Sequence, residues 1–376
     1  GDAARDPEPV ASDAPAWLFY TSGTTGRPKG VEITHANLVA MTRCFLADVE
    51  AIAPGDAILH AAPLSHGSGL YAVPHVARAA VNVVPASGGF DPAEIVDLVG
   101  RWNRSLFFAA PTMVKRLVES PSLAGARLDR LKAIVYGGGP MYVEDAKAAF
   151  AALGPRLAQI YGQGETPMTI TAMDRHAIAD AVARGDDARL GSVGVAQTGI
   201  EVVVEGSAGE PGEVLVRGAT VMRGYWRNAE ATARTLAGGW LHTGDVGALD
   251  PDGYLRITDR LKDVMITAGG KNVTPSEIEN QLKASAYIAD AVVIGDKRPF
   301  LSALIMIDLE NVARFAQDQR VPFTNYASLC AAEAVQGLIQ REIEAVNAKL
   351  ARVETIKKFR LIDVLLTPED EELTPT

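Results

Sequence analysis

The sequence predicts an α/β protein in two parts. A layered α/β large domain with a strand-rich distal part comes first, and a small α+β domain closes the chain. Three observations carry that prediction. Apolar runs of strand length alternate with helix-periodic segments from Ala16 to Leu190, the pattern of α/β layering. Beyond Leu190, strand patterns follow one another with Gly and Asp-Gly turns between them. After Lys262 helix and strand patterns mix again. At ~150 residues per domain, 376 residues make two or three domains. The boundary is placed at Arg260–Lys262, dividing 16–260 from 261–376.

In order along the chain, residues 16–20 (AWLFY) read as a buried strand. Thr34 reads as the N-cap of a helix whose apolar stripe is Leu38, Met41 and Phe45. Strand-like AILHAAP, AAVNVVPA, SLFFAAP, LKAIVYGGG and AQIYGQGE then alternate with helix-like PAEIVDLVGRW, TMVKRLVES and VEDAKAAFAAL. GIEVVVE, GEVLVRG, WLHTGDVGALDPDGYLRI and VMITAGG read as strands and turns. PSEIENQLKAS reads as a helix behind the capping pattern Thr274-Pro275-Ser276-Glu277, followed by strands ADAVVIGD and LSALIMID and by helices over 311–350.

Bulk properties exclude several classes. With 48% hydrophobic and 22% charged residues, disordered and fibrous classes do not fit. A net charge of −10 argues against a broad nucleic-acid surface, which needs clustered cations, but leaves room for a local anion pocket. Cys44 and Cys330 lie far apart and form no Cys-x-x-Cys pair, so a reducing, cytoplasmic setting is expected. No apolar run approaches the ~18 residues of a membrane span. The opening GDAARDPEPVASDAP is polar and Pro-rich, lacks a signal-peptide core and an initiator Met, and reads as a linker or a cut end over 1–15.

The chemistry concentrates in a few stretches. Tyr20–Gly30 reads YTSGTTGRPKG, with five hydroxyls, three glycines and two cations. It is no Walker loop, because Pro28 stands where the second Gly belongs. Its physics still suits an anion: glycines permit close backbone approach, backbone N–H groups can form an anion-binding concavity, and Thr21, Ser22, Thr24, Thr25 and Lys29 add donors. A mobile Gly/Thr turn is the alternative. The Gly162–Gly164 pair starts no dinucleotide fingerprint, since Pro167 holds its last position. Gly67-Ser68-Gly69 is not a nucleophile elbow, and the six histidines form no metal-ligand cluster.

Taken in order, TSGTTGRPKG, VYGGGP (Val135–Pro140), YGQGET (Tyr161–Thr166), WLHTGD (Trp240–Asp245), ITDRLKD and TAGGKN resemble the motifs of the acyl-adenylate-forming superfamily. That superfamily holds AMP-forming acyl-CoA synthetases, adenylation domains and luciferases. The resemblance runs from Ala16 to Thr376 and is strongest to medium- and long-chain acyl-CoA synthetases. It implies ATP, CoA and a carboxylic acid, fatty in class, as substrates, and Mg²⁺ as cofactor. Thr21, Ser22, Gly23, Thr24, Thr25, Gly26 and Lys29 would then hold the triphosphate, and Glu165 the metal. Gly138, Gly139, Tyr161, Gly162 and Gln163 would border the nucleotide, with Tyr161 as the stacking face for adenine. Asp245 would accept from the ribose hydroxyls, and Arg260 would reach ribose or phosphate. His66, Gly67 and Gly137 would line the acyl pocket, although a histidine held only for the fold is the alternative for His66. Lys262 falls on the family's hinge, which makes the small C-terminal domain a mobile lid, and Gly269 and Gly270 fall on its CoA loop. Lys29, Glu165 and Arg260 are the expected catalytic residues.

Two departures accompany the match. Gly164 stands where the family has Thr, with Thr166 as a candidate substitute hydroxyl. Against the family's length, the large domain lacks its N-terminal third, and the chain ends in LTPT where the family's adenylation lysine follows; a fragment impaired in adenylation is therefore expected. The alternatives are acyl transfer to a carrier protein, or a non-catalytic nucleotide-binding or interaction module. Nucleic acid and a transmembrane segment are not expected, and a homodimer is within what the resemblance allows.

Overall fold

The computed structural model describes residues 8–21, 28–65, 67–206, 209–261, 265–266, 272–283, 285–352 and 354–364. The chain divides into two compact units, Gly1–Thr243 with Gly247–Ile257, and Gly244–Val246 with Thr258–Thr376. Among the described residues no helix is long and apolar enough to cross a membrane.

The first unit opens on an antiparallel hairpin of β1 (Pro15–Thr21) and β2 (Lys29–Thr34), in register Thr21↔Lys29. The ends of the YTSGTTGRPKG segment therefore face each other across a ladder. Ala16–Tyr20 is a strand, but not a buried one: Phe19 is covered, while Leu18 and Tyr20 are exposed. Side chains alternate along a strand, and β1 lies at a sheet edge with one face covered. Thr34 then caps α1 (His35–Asp48) through a reciprocal box: Asn37 N–H donates to Thr34 Oγ1 at 3.1 Å, and Thr34 N–H donates to Asn37 Oδ1 at 2.9 Å.

A seven-stranded sheet follows, built from β3 (Ala57–Leu59), β4 (Val81–Val83), β5 (Ser105–Ala109), β6 (Leu131–Tyr136), β7 (Leu157–Gln163), β8 (Thr166–Met173) and β9 (Val195–Ala196). Its order is β4-β3-β5-β6-β7-β8-β9, parallel through β7 and antiparallel beyond. Helices Pro92–Arg101, Pro111–Val118 and Val143–Leu153 make the connections between successive strands from β4 to β7. The strands are apolar on both faces because both are packed. Ala57, Leu59, Phe107, Ala109, Ile134, Tyr136 and Leu157 belong to one core with these helices. Ile58, Leu106, Ala133, Val135, Ala158 and Ile160, alternating with them, belong to a second core with α1 and β2.

β6 also carries a buried cation. Lys132 Nζ lies 2.9 Å from Asp56 and 3.5 Å from Glu50; Arg104 reaches Asp56 at 2.7 Å and Arg175 reaches Glu50 at 2.9 Å. Burial alone would raise the Asp56 carboxyl. The hydrogen bonds from Lys132, Ala53 N–H and Arg104 outweigh it and hold the group below the usual carboxylate range.

Four-stranded and short elements complete the strand-rich stretch: β10 (Ile200–Val204), β11 (Gly212–Gly218), β12 (Gly224–Tyr225), β13 (Leu241–Leu249) and β14 (Leu255–Arg260), with sheet order β10-β11-β13-β14. β12 leaves that sheet and pairs with β2, Tyr225 opposite Val31.

The second unit holds a two-stranded ribbon, β15 (Met265–Ile266) and β16 (Asn272–Val273), and a three-stranded sheet of β17 (Ile288–Ile294), β18 (Leu301–Ile307) and β19 (Ile356–Leu361). β17 and β18 are antiparallel, β18 and β19 parallel. Helices Pro275–Lys283, Leu309–Asp318, Tyr326–Ala331 and Glu333–Asn347 cover a core of Leu282, Leu301, Ile305, Val312, Ile339 and Ile356.

Candidate functional site

The turn from β7 to β8 is where the first unit gathers its polar chemistry. Gln163 pairs with Thr166, leaving Gly164 and Glu165 as a two-residue hairpin turn. The ladder is irregular just before it, between Tyr161 and Gln163. A Cβ on Gly162 would stand 2.8 Å from Met168 N and 2.9 Å from Met168 Cα, so only glycine fits beneath the bulged β8. Met168 itself takes the left-handed region at φ 54°.

The Glu165 carboxylate projects from this turn onto Tyr225. The Tyr225 phenol donates to Glu165 Oε1 at 2.6 Å, and Met222 N–H donates to the Glu165 carbonyl at 2.8 Å. Lys29 Nζ rests 4.6 Å from the centre of the same Tyr225 ring. Burial, the Glu165 charge and the hydrogen bond to it all push the Tyr225 hydroxyl above its ordinary range, so it remains a donor. Among the described residues no ion pair joins Lys29 to Glu165. Sequence reading singled out Lys29 and Glu165 but not Tyr225, which follows Glu165 by 60 residues (225 − 165). RGYWRN offers no spacing that links it to either partner.

Gly164 has a steric reason. A Cβ there would meet Thr21 Cγ2 at 2.4 Å and Phe19 Cδ1 at 3.0 Å. Thr166 does not replace the absent hydroxyl on this surface. It is fully buried, and its Oγ1 is engaged with the Thr169 carbonyl at 3.1 Å and Thr220 Oγ1 at 2.9 Å.

The Gly137–Gly139 turn leaves the C-terminal end of β6. Gly137 N–H donates to the Ala109 carbonyl at 3.3 Å, and a Cβ on Gly137 would lie 2.5 Å from the Ile160 carbonyl oxygen. Gly138 has φ +81°. A Cβ on Gly67, at the start of the short helix Gly67–Leu70, would stand 3.0 Å from the Phe108 ring, and one on Gly138 would stand 4.0 Å from it. Phe108 stacks on Tyr71 with ring centroids 5.2 Å apart. Gly67 and the 137–139 turn thus share one aromatic neighbour. Tyr161 packs against the core of the four-stranded sheet, and Gln163 Nε2 donates to the Thr243 carbonyl at 3.0 Å.

In the second unit Arg260 Nε pairs with Asp245 Oδ1 at 3.0 Å. Asp245 is buried while the Arg260 side chain is half exposed. Ser22, Gly23, Thr24, Thr25, Gly26, His66, Lys262, Gly269 and Gly270 lie outside the described residues. No cluster of three or more His, Cys, Asp or Glu suited to a metal occurs among the described residues. Glu165 contributes a single carboxylate with its Oε2 turned to no described donor. That matches Mg²⁺, a hard cation often held by one or two carboxylates, waters and substrate phosphates rather than by an all-protein cage.

Residues 2–226 match the AMP-binding enzyme family, and residues 262–376 match the AMP-binding enzyme C-terminal domain. A feruloyl-CoA synthase from Amycolatopsis sp is 35% identical over 309 residues, which is 79% of this chain and 60% of that protein. The long-chain-fatty-acid–CoA ligase FadD15 of Mycobacterium tuberculosis is 32% identical, covering 98% of this chain and 67% of that protein. Among solved structures, the Bacillus subtilis o-succinylbenzoate CoA synthetase in complex with ATP and magnesium ion superposes with a TM-score of 0.76 at 27% identity, over 97% of this chain and 70% of that one. The chain therefore spans between three fifths and three quarters of the length of these relatives.

Proposed function

The chain belongs to the AMP-binding enzyme family, and on that premise we propose that it serves an AMP-forming acyl-CoA ligase of the cytoplasm. The carboxylate of an acid attacks the α-phosphate of ATP, forming acyl-AMP and releasing pyrophosphate. The CoA thiol then attacks the acyl carbon, forming a thioester and releasing AMP. A fatty acid is the substrate class, in keeping with the similarity to fatty-acid–CoA ligases. The observation that carries the reading is the assembly of Lys29 on the ring face and Glu165 on the hydroxyl of Tyr225, next to the strand ends that bracket the hydroxyl-rich segment 22–28.

In this reading Lys29, with Thr21 and the Ser22–Gly26 segment, binds the β- and γ-phosphates. Lys29 offsets negative charge that water would otherwise have to solvate. Glu165 holds Mg²⁺, which when bound supplies charge neutralisation on the phosphates. Gly138, Gly139, Tyr161, Gly162 and Gln163 border the nucleotide. Asp245 accepts from the ribose hydroxyls, oriented by its bond with Arg260. Gly67 and Gly137, with His66, border the acyl group. Lys262 acts as hinge and Gly269–Gly270 as the CoA loop. Catalysis then rests on placing two reacting oxygens in line and on charge neutralisation, since phosphoryl and adenylyl transfer need little else from the protein.

ATP–pyrophosphate exchange on the full-length protein with fatty acids and ferulate as candidate acids, followed by detection of CoA thioesters, tests this. Exchange that leads to thioester only with a carrier protein moves the acceptor from CoA to that carrier. Absence of exchange with every acid removes the ligase reading.

A further inference from the structure

We infer that Tyr225 is a positioning residue of the adenylation site, engaging Lys29 through its ring face while its hydroxyl fixes which Glu165 oxygen faces the ligand. The inference rests on the triphosphate and metal roles proposed for those two residues.

The argument begins with the backbone. Residues 222–226 are stitched to both partners. Met222 N–H donates to the Glu165 carbonyl at 2.8 Å; Arg223 N–H donates to Glu32 at 3.0 Å, and Trp226 N–H to Gly30 at 2.7 Å. Tyr225 lies opposite Val31, two residues beyond Lys29. A further anchor comes from Tyr225 N–H, which donates to Thr232 Oγ1 at 2.9 Å. Main-chain bonds therefore hold the Tyr225 ring between a strand that carries the cation and a turn that carries the carboxylate.

The side chain uses its two chemistries separately. Its ring face attracts the Lys29 ammonium, and its hydroxyl donates to Glu165 Oε1. Among the described residues no direct ion pair joins Lys29 to Glu165. Such a pair would satisfy each charge internally and weaken both as ligands for phosphate and metal. The ring face takes the ammonium and the phenol takes Oε1 as a donor, which leaves Oε2 for a ligand. A hydrogen-bond partner of a metal-binding carboxylate orients that carboxylate, and its loss costs about 10–100-fold in metal affinity.

The test is ATP binding by calorimetry on the purified protein, with a Mg²⁺ titration and with EDTA, beside melting temperatures. Tyr225→Phe keeps the ring under Lys29 and removes the hydroxyl. Its half-saturating Mg²⁺ for ATP binding should rise by roughly 10–100-fold, with affinity in EDTA unchanged and the melting temperature lowered by only a few degrees, the scale of one lost hydrogen bond. Tyr225→Leu removes the ring as well and should weaken ATP binding in EDTA too. On a Glu165→Gln background, Tyr225→Phe should add no further loss of Mg²⁺ dependence. Wild-type Mg²⁺ dependence in Tyr225→Phe overturns the inference while leaving the ligase reading intact. So does an equal loss with Mg²⁺ and with EDTA, which marks a merely structural tyrosine. Wild-type protein that binds ATP without any response to Mg²⁺ removes the metal role of Glu165, and the inference with it.

Discussion

The Thr21 methyl group lies 2.4 Å from the point where a Cβ on Gly164 would stand. The hairpin turn carrying Glu165 and the last residue of β1 are thus packed backbone against side chain. Phe19, two residues before Thr21 on the same face of β1, adds a second contact 3.0 Å from that point. Gly164→Thr, which would restore the hydroxyl of the related motif, overfills this contact. It is expected to cost about 1–3 kcal/mol in stability. Thr21→Ser removes the opposing methyl, so the double variant should recover part of the loss. Urea unfolding of the three variants measures the coupling. A Gly164→Thr protein as stable as wild type would show that the Thr21 rotamer, and not glycine, relieves the crowding.

Glu165→Gln retains an amide oxygen that can accept from Tyr225 and removes the charge. Stability should fall by less than about 1 kcal/mol, since the hydrogen bond survives in neutral form. ATP–pyrophosphate exchange should fall by about a hundredfold or more, the scale of losing a group that stabilises transition-state charge. A collapsed melting temperature with proportional loss of activity would make Glu165 a structural residue.

His75 makes an acid-side prediction. Burial pushes its pKa down to about 4, and the Tyr71 carbonyl that accepts from Nδ1 at 2.6 Å opposes this only in part. The folded ring stays neutral where the unfolded one, at its ordinary value of about 6.5, takes up a proton. The unfolded state therefore binds more protons between those two values. Stability is full above pH ~6.5 and declines as the pH falls toward ~4, by roughly 3 kcal/mol in total. Denaturant midpoints at pH 7.5 and 4.5 should differ accordingly, and His75→Gln should flatten the difference. An unchanged slope in that variant assigns the acid sensitivity elsewhere.

The Lys132 cluster acts in a lower pH window. Asp56 is held below its unfolded value of ~3.9, so its contribution is present above that value and is lost as the pH falls through the folded one. Asp56→Asn leaves the buried Lys132 with Glu50, at 3.5 Å, as its one carboxylate, beside the Ala51 carbonyl to which it also donates. The expected cost is about 3–5 kcal/mol, the scale for breaking a buried pair. Added salt should change it little, because the partners are shielded from solvent. Equal stability of Asp56→Asn and wild type would contradict the burial of the pair.

The sequence by itself determined what neighbouring residues can encode. Thr34 announces a helix start. Runs such as LKAIVY and SLFFA announce strands, and the structure assigns their alternate residues to two different cores. The class of the fold was legible in that way, because periodicity is a local property, while the roles proposed for Lys29, Glu165, Asp245 and Arg260 came from a resemblance of motifs. TPMTITAM, RHAIADAVAR and IKKFRL became β8, the helix Arg175–Arg184 and β19 without a strong local signal. Only the tertiary structure decided that Tyr225 meets both Lys29 and Glu165, that Gly164 is required by Thr21 and Phe19, and that Thr166 points into the core. These relations join residues from distant strands. They arise from the paths by which β12 returns to β2 and the β7–β8 turn meets β1, paths set by packing rather than by any residue's immediate neighbours.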